Sequence, residues 1–290
     1  MKRILITGAN SFVGNAVQKY LQLQPDRYIV DVVGTRNNEW LAVDFSLYDV
    51  VYHVAGIAHS DVGNVSELVK KKYYAVNTDL TIAVAEKAKI AGVRQFIFMS
   101  SAIVYGDSAP IGEKKIITAN TKCSPTNFYG DSKVQAEKGI MVLNDQSFHV
   151  VILRCPMIYG KGSKGNFPIL EKIALKLPFF PKIENMRSML YVGNLTEFVR
   201  LMIDNEEAGI FWPCNREWSN TSSLVKMIAD SKGKRIILIP GLGWILKLLS
   251  YLTKDVNKAF GNLAYEKKIG DYKEDYRLYS LEDSIKEIEG

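Results

Sequence analysis

Residues 4–14, Ile-Leu-Ile-Thr-Gly-Ala-Asn-Ser-Phe-Val-Gly, constrain this chain more than any other stretch. A short apolar run (Arg3–Thr7) reads as a buried strand and stops at Gly8. Gly14 then opens a helical pattern from Asn15 to Leu23, which Pro25-Asp26 closes. Strand and helix signals go on alternating through the first half, as in a parallel sheet covered by helices on both faces. Tyr28–Gly34 reads as the second strand, Trp40–Phe45 as a short third and Asp49–Ala55 as the fourth. A single helix is predicted from Ser66 to Ala91, ended by Gly92 in a left-handed cap. Gln95–Met99, Phe128–Leu143 and Val150–Leu153 continue as strand, helix and strand.

After Cys155-Pro156 the periodicity changes. The expected division is a nucleotide-binding domain over 1–156, with part of 188–204 returning to it, and a smaller mixed α/β domain over 157–290. The chain of 290 residues is long enough for both. Its charge of +6 is mild, and no basic run is interleaved with aromatics, so nucleic acid is not an expected partner. An anionic small molecule suits the balance better. Cys123, Cys155 and Cys214 lie far apart without CxxC spacing, which excludes a disulfide framework and a zinc ribbon; no metal site is expected, and the chain reads as cytoplasmic. No signal peptide is expected, because Met1-Lys2-Arg3 leads straight into a short strand and a glycine turn. The apolar run Ile236–Leu246 contains Pro240, Gly241 and Gly243 and is too short to span a bilayer. A buried strand followed by a core-facing helix is expected there, and no integral membrane segment.

The glycine turn has a direct chemical use. Gly8 permits the tight bend, and the backbone around Asn10, Ser11, Phe12 and Val13, with Gly14 at the helix start, would face a pyrophosphate. The second strand should end beside the adenosine ribose. Its tip reads Val33-Gly34-Thr35-Arg36-Asn37, with Asp31 too early to serve, so no acid is expected there. Arg36 favours the 2′-phosphate of NADP(H) over NAD(H), the alternative being a solvated arginine in a turn. Asp44-Phe45 ends the expected third strand, where the carboxylate would accept from an adenine amino group or cap the surface. Val54, Ala55 and Gly56 are small enough for a dinucleotide to pass closely. His53, inside the same apolar strand, reads as a satisfied core histidine more readily than a catalytic one.

Tyr129 and Lys133 stand four apart on a predicted helix and share one face. An ammonium near a phenol favours the phenolate and lowers its pKa from about 10. Such a tyrosine can give or take a proton at neutral pH. A strand-terminal serine from Ser100-Ser101 can hold the same substrate oxygen.

Taken in order, TGANSFVG, DVVYHVAG, YYAVN, SSAIVYG, YGDSK and LRCPMIYG resemble the extended short-chain dehydrogenase/reductase superfamily, the NAD-dependent epimerase/dehydratases. The resemblance covers residues 3 to about 200 and is nearest to UDP-glucose 4-epimerases and to 4-keto-sugar reductases of bacterial polysaccharide pathways. It implies a Rossmann-type doubly wound parallel sheet (class α/β) with a smaller C-terminal substrate domain. It implies Ser101, Tyr129 and Lys133 as catalytic residues, with Lys133 also on the nicotinamide ribose and Tyr129, Asn77 and Pro156 beside the cofactor. Tyr105 would lie beside the sugar or simply pack. Arg187, in RSMLYV, would clamp the substrate diphosphate, and Asn166 and Lys164 are further substrate candidates. The implied substrate is a nucleoside-diphosphate sugar, and the implied assembly a homodimer formed through the 66–91 and 128–143 helices.

The chain departs from that pattern in places. The helix between the third and fourth strands has shrunk to Ser46-Leu47-Tyr48. Ala58 stands where 4-epimerases often carry a lysine, with His59 after it. No late Arg-x-Gly-Asp supplies a second phosphate arginine, leaving Arg216 or Arg277 for that role. These departures and Arg36 favour 4-keto-sugar reduction over 4-epimerisation. SSAIVYG lacks the Asp-Glu pair of the dehydratases. A non-catalytic dinucleotide sensor is the remaining alternative, against which stand the retained serine, tyrosine and lysine.

Overall fold

The computed structural model of the chain describes residues 1–58, 65–252 and 254–289. In chain order the elements are β1 (Lys2–Thr7), α1 (Phe12–Gln22), β2 (Tyr28–Val33), β3 (Val50–His53), α2 (Glu67–Tyr74), α3 (Leu80–Ile90) and β4 (Gln95–Ser101). There follow β5 (Ile116–Ile117), α4 (Phe128–Met141), β6 (His149–Cys155), β7 (Met157–Tyr159), α5 (Asn166–Lys176), β8 (Phe179–Pro181), β9 (Met189–Tyr191), α6 (Val192–Asp204) and β10 (Gly209–Phe211). The chain closes with α7 (Thr221–Ser231), β11 (Ile237–Ile239), α8 (Gly243–Leu252), α9 (Lys254–Phe260), β12 (Ala264–Tyr265) and α10 (Leu281–Glu289).

Two compact units result, the first comprising 1–106, 123–155 and 195–213, the second 107–122, 156–194 and 214–290. The first unit carries a six-stranded parallel sheet in the order β10-β6-β4-β3-β1-β2. The strand order turns back on itself at β1 and β3. In open parallel sheets such a reversal opens a crevice at the carboxyl ends of the strands. Residues of β3 and β4 are buried on both faces, as a helix-covered sheet requires. Val51, Phe96, Phe98, Val150 and Ile152 meet the small faces of α3 (Val84, Ala85, Ala88) and α4 (Ala136, Ile140). The second unit has its own core, in which α5, α7 and α10 pack around Tyr159, Phe167, Leu224, Ile228 and Ile285.

Three expectations are corrected. Trp40–Phe45 forms no strand: residues Arg36–Ala42 make a short 3-10 turn in which Asn37 and Asn38 adopt left-handed backbone (φ 56° and 60°). Asparagine tolerates that region, and the apolar residues read as a strand are Trp40 and Phe45 dropping into the core. The Ser66–Ala91 helix is broken by a π-turn at Ala75–Asp79, between α2 and α3. Such bulges interrupt helices where a side chain is needed inside. Finally, Ile236–Leu246 is not a buried strand and core-facing helix. Ile236 is buried, but Ile237, Ile239, Trp244 and Ile245 are exposed. Among the described residues no helix is long and apolar enough to cross a membrane.

Candidate active site

The turn after β1 is built for close approach. Gly8 has φ 113°, and a Cβ there would stand 2.7 Å from the Ala55 backbone nitrogen. A Cβ on Gly14 would meet Ser11 Oγ at 2.5 Å and Val54 Cγ2 at 3.0 Å. Ser11 caps α1 by accepting from the Gly14 amide (3.0 Å). The amides of Phe12 and Val13, in the first turn, have no acceptor among the described residues. This is a glycine-lined cradle with unsatisfied donors at a helix N-terminus, and it fits a dinucleotide pyrophosphate.

At the tip of β2 the structure reveals an acid that the sequence reading missed. A Cβ on Gly34 would stand 2.4 Å from Glu39 Oε2, so that carboxylate lies against the strand end. The left-handed Asn37-Asn38 pair turns the chain back and brings it there. The signal was present as Arg-Asn-Asn-Glu, two adjacent asparagines followed by an acid. Arg36 is exposed at the same tip. Asp44 is spent on local capping, accepting from the Ser46 amide (3.0 Å) and hydroxyl (2.7 Å), which hold its pKa below the usual carboxylate value. Phe45 is core, with the Lys87 ammonium 4.7 Å from its ring centroid. The surface-capping alternative for Asp44 is thus met, with both bonds falling on Oδ1.

Asn77 sits in the π-turn, fully buried. Its Oδ1 accepts from the Ile57 amide (2.8 Å), and its Nδ2 donates to Ile57 O and Ser132 Oγ, both at 3.1 Å. The side chain is a buried amide with partners, and it clamps the loop that follows β3. A Cβ on Gly56, in that loop, would lie 3.2 Å from Asn77 Oδ1 and 3.4 Å from Lys133 Nζ. His53 is a satisfied core histidine. Thr81 gives its one proton to Asn77 O (2.8 Å), so it accepts from His53 Nε2–H (3.1 Å), and Thr7 donates to Nδ1 (2.7 Å). Burial pushes the His53 pKa down to about 3, so the ring is neutral.

Ser101, Tyr129 and Lys133 come together at the end of β4 and the start of α4. The Ser101 hydroxyl favours the charged form of the Tyr129 phenol and lowers its pKa. Lys133, buried, donates to Met99 O (2.9 Å) and lies 4.5 Å from the Phe98 ring centroid. The expected depression of the Tyr129 pKa by Lys133 is not found. Burial pushes the phenol up to about 12, and Ser101 opposes this only in part. Burial likewise pulls Lys133 down to about 8, against the nearby Glu137 carboxylate. The ammonium is aimed at a backbone carbonyl and the Gly56 loop, not at the phenol.

Tyr105 does not present its hydroxyl to a substrate. It is 2% exposed, and its oxygen accepts from Arg154 Nη1 (2.8 Å) and Trp212 Nε1 (2.7 Å). Arg154 in turn forms a buried ion pair with Glu137 (2.7 Å), which also accepts from Ser100. Glu137 falls four residues after Lys133 on the same face of α4, a spacing that the sequence showed and the reading passed over. The pair ties β4, α4 and β6 together behind the triad.

In the second unit, Arg187 Nη1 donates to Lys258 O (2.6 Å) and Gly261 O (3.4 Å), and no carboxylate among the described residues pairs with it. Burial pulls its pKa down. A half-buried guanidinium without a counter-ion is poised for an anion. Arg216 and Arg277 are already paired, with Asp275 (2.9 Å) and Asp271 (2.8 Å). Asn166 and Lys164 are exposed at the start of α5 and just before it, and Pro156 is buried after β6. Ala58 is exposed, and His59 lies outside the described residues.

A parallel sheet with a dinucleotide cradle and a Ser-Tyr-Lys group at its strand ends defines an enzyme that works on a nicotinamide cofactor. The chain belongs to the NAD dependent epimerase/dehydratase family, whose model matches residues 4–211. It is 31% identical over 272 residues to a UDP-glucose 4-epimerase of Vibrio cholerae, covering 87% of this chain and 82% of that protein. It is 29% identical over 252 residues to an Escherichia coli O157:H7 N-acetyl-alpha-D-glucosaminyl-diphospho-ditrans,octacis-undecaprenol 4-epimerase, covering 80% and 73% of the two. Its fold is similar to UDP-glucuronic acid 4-epimerase of Bacillus cereus in complex with NAD (TM-score 0.74, 19% identity, 99% and 95% covered). It is equally similar to dTDP-4-dehydrorhamnose reductase of Bacillus anthracis in complex with NADP (TM-score 0.74, 16% identity, 99% and 98% covered).

Proposed function

We propose that the protein is an NAD-dependent 4-epimerase of a sugar carried on a diphosphate, a UDP-sugar in the first instance. The observation that carries this reading is Glu39. A carboxylate against the tip of β2 suits the 2′-hydroxyl of NAD and repels the 2′-phosphate of NADP, and this outweighs the exposed Arg36 beside it. Both 4-epimerase relatives support the same choice. The cofactor, when bound, supplies a hydride acceptor and donor. Phe12, Val13 and the glycines of the turn hold its pyrophosphate, and Lys133 its nicotinamide ribose. Ser101 orients the sugar 4-hydroxyl, and Tyr129 takes its proton and later returns it. A phenol held near pKa 12 by burial is a poor base, so a cationic charge brought close to it must lower that value before catalysis. Arg187 takes the diphosphate.

The second reading, a 4-keto-sugar reductase using NADPH, is favoured by Arg36 and by the likeness in fold to such reductases. The homodimer through α2–α3 and α4 and the cytoplasmic setting belong to both. The test is incubation with NAD and UDP-glucose or UDP-N-acetylglucosamine, followed by chromatography of the sugars. Appearance of the 4-epimer supports the first reading. NADPH oxidation by a 4-keto sugar with no epimer formed supports the second.

A further inference from the structure

Helix α8 is built inside out for a water-facing helix. Leu246 packs against the core and Ser250 is buried, so a polar residue lies inside. Trp244 (70% exposed), Ile245, Leu248 (60%) and Leu249 face outward together with Lys247. The same surface continues onto the two-stranded β8–β11 sheet. Phe180 and Leu238 pack inward there, while the paired Phe179 and Ile237 (55% and 63% exposed) and Ile239 face out. A shallow depression lined by Ile111, Lys182, Glu184, Trp244 and Lys247 joins the sheet to the helix.

An apolar surface of this extent marks a docking site. Its charge identifies the partner. Residues 231–252 hold Lys232, Lys234, Arg235 and Lys247 and no acid, and residues 173–183 hold Lys176 and Lys182, with Glu184 the one acid lining the depression. Among the described residues Lys182, Lys234, Arg235 and Lys247 form no ion pair. Exposed tryptophan and aliphatic side chains with interspersed lysines are the composition of helices that lie in the interface of an anionic bilayer, tryptophan at headgroup level and lysines reaching the phosphates. A second copy of the chain fits less well, because a two-fold contact through this face would set these cations against their own images.

We infer that the α8 and β8–β11 surface of the second unit docks the protein, without spanning the bilayer, on a membrane carrying anionic lipids. The surface involves none of the residues assigned to the cofactor or the sugar, so its failure and that of the catalytic reading are separable.

The test is co-sedimentation of the full chain with vesicles of phosphatidylcholine, with and without about 30 mol% phosphatidylglycerol. A Trp244→Ser/Leu248→Gln double variant and Lys247→Glu are compared with wild type. Circular dichroism and NAD binding serve as controls for folding. Wild-type protein is expected to bind the anionic vesicles at least about tenfold more tightly than neutral ones, and to be released by salt. The double variant, with its fold and NAD binding intact, is expected to stay in the supernatant, and Lys247→Glu to bind several-fold more weakly. Equal partition of wild type to both vesicles, or none to either, overturns the inference. So does unchanged binding by the double variant, or a wild-type dimer that the double variant dissolves without any vesicle binding.

Discussion

Replacement of Glu39 by glutamine is expected to erase the cofactor preference that this carboxylate creates. The Glu39 carboxylate lies against Gly34 at the end of β2, close enough that a methyl group there would collide with Oε2 at 2.4 Å. A ribose hydroxyl donating to that carboxylate contributes about 1.5–3 kcal/mol, the range for hydrogen bonds to charged groups. A 2′-phosphate in the same place would face like charge. Two unit charges about 4 Å apart repel by roughly 1 kcal/mol in water and about 4 kcal/mol at an effective dielectric of 20, and exposure of Glu39 favours the lower figure. The two effects sum to about 3 kcal/mol, or roughly 10²-fold in the ratio of NAD to NADP affinity. Glu39→Gln should weaken NAD by about tenfold and strengthen NADP by a comparable factor, read by calorimetric titration at fixed ionic strength. Arg36→Ala should weaken NADP alone. An unchanged ratio in Glu39→Gln, with Arg36→Ala abolishing NADP preference in a wild type that prefers NADP, would refute the reasoning.

Three further outcomes are expected. Tyr129→Phe keeps the ring contact with Tyr73 (5.9 Å between centroids) but removes the proton donor, so turnover should fall at least about 10²-fold with the melting temperature unchanged. Arg187→Ala removes a half-buried guanidinium that no carboxylate among the described residues pairs. It should abolish calorimetric binding of UDP while leaving NAD affinity intact, and equal UDP binding by the variant would remove Arg187 from the substrate site. His53, held neutral with a pKa of about 3, binds no proton in the folded chain at pH 5, whereas in the unfolded chain it titrates near 6.5. The unfolded state therefore takes up the proton first. Stability from this residue is present above 6.5 and is lost as pH falls towards 3. Urea titrations should show about 2 kcal/mol less stability at pH 5 than at 7.5 from this source, a slope absent from His53→Asn. An equal slope in that variant would place the acid sensitivity elsewhere.

The parts of the fold legible from sequence were those governed by local pattern. The turn from Thr7 to Gly14 announced itself because glycine and a capping serine are needed at fixed offsets there. The β3, β4 and β6 strands announced themselves because double-sided burial leaves long apolar runs. Tyr129 and Lys133 showed their shared face through helical spacing. What stayed hidden depends on where a side chain is carried by its neighbours. Trp40 and Phe45 mimic a strand because burial under α3 demands the same residues that a sheet would. The Glu39 carboxylate reaches the β2 tip only through two left-handed asparagines. Asn77 holds Ile57 with both ends of its amide and also donates to Ser132, partners that no local pattern announces. Lys133 shares a face with Tyr129 as expected, yet its ammonium is drawn to Met99 O, so proximity along the helix did not become a lowered phenol pKa.

In the proposed epimerisation one hydride leaves C4 of a diphosphate-linked sugar and returns to the other face of the same carbon while the Tyr129 oxygen handles the proton. It is tested most directly with UDP-glucose or UDP-N-acetylglucosamine carrying deuterium at C4, a single equivalent of NAD per protein and many turnovers. Mass spectrometry and NMR of the product should show the 4-epimer with deuterium retained at C4, no net accumulation of NADH, and no epimer from Tyr129→Phe. Loss of the deuterium to solvent, or no epimer from either sugar while a 4-keto sugar is reduced at the expense of NADPH, would contradict the account.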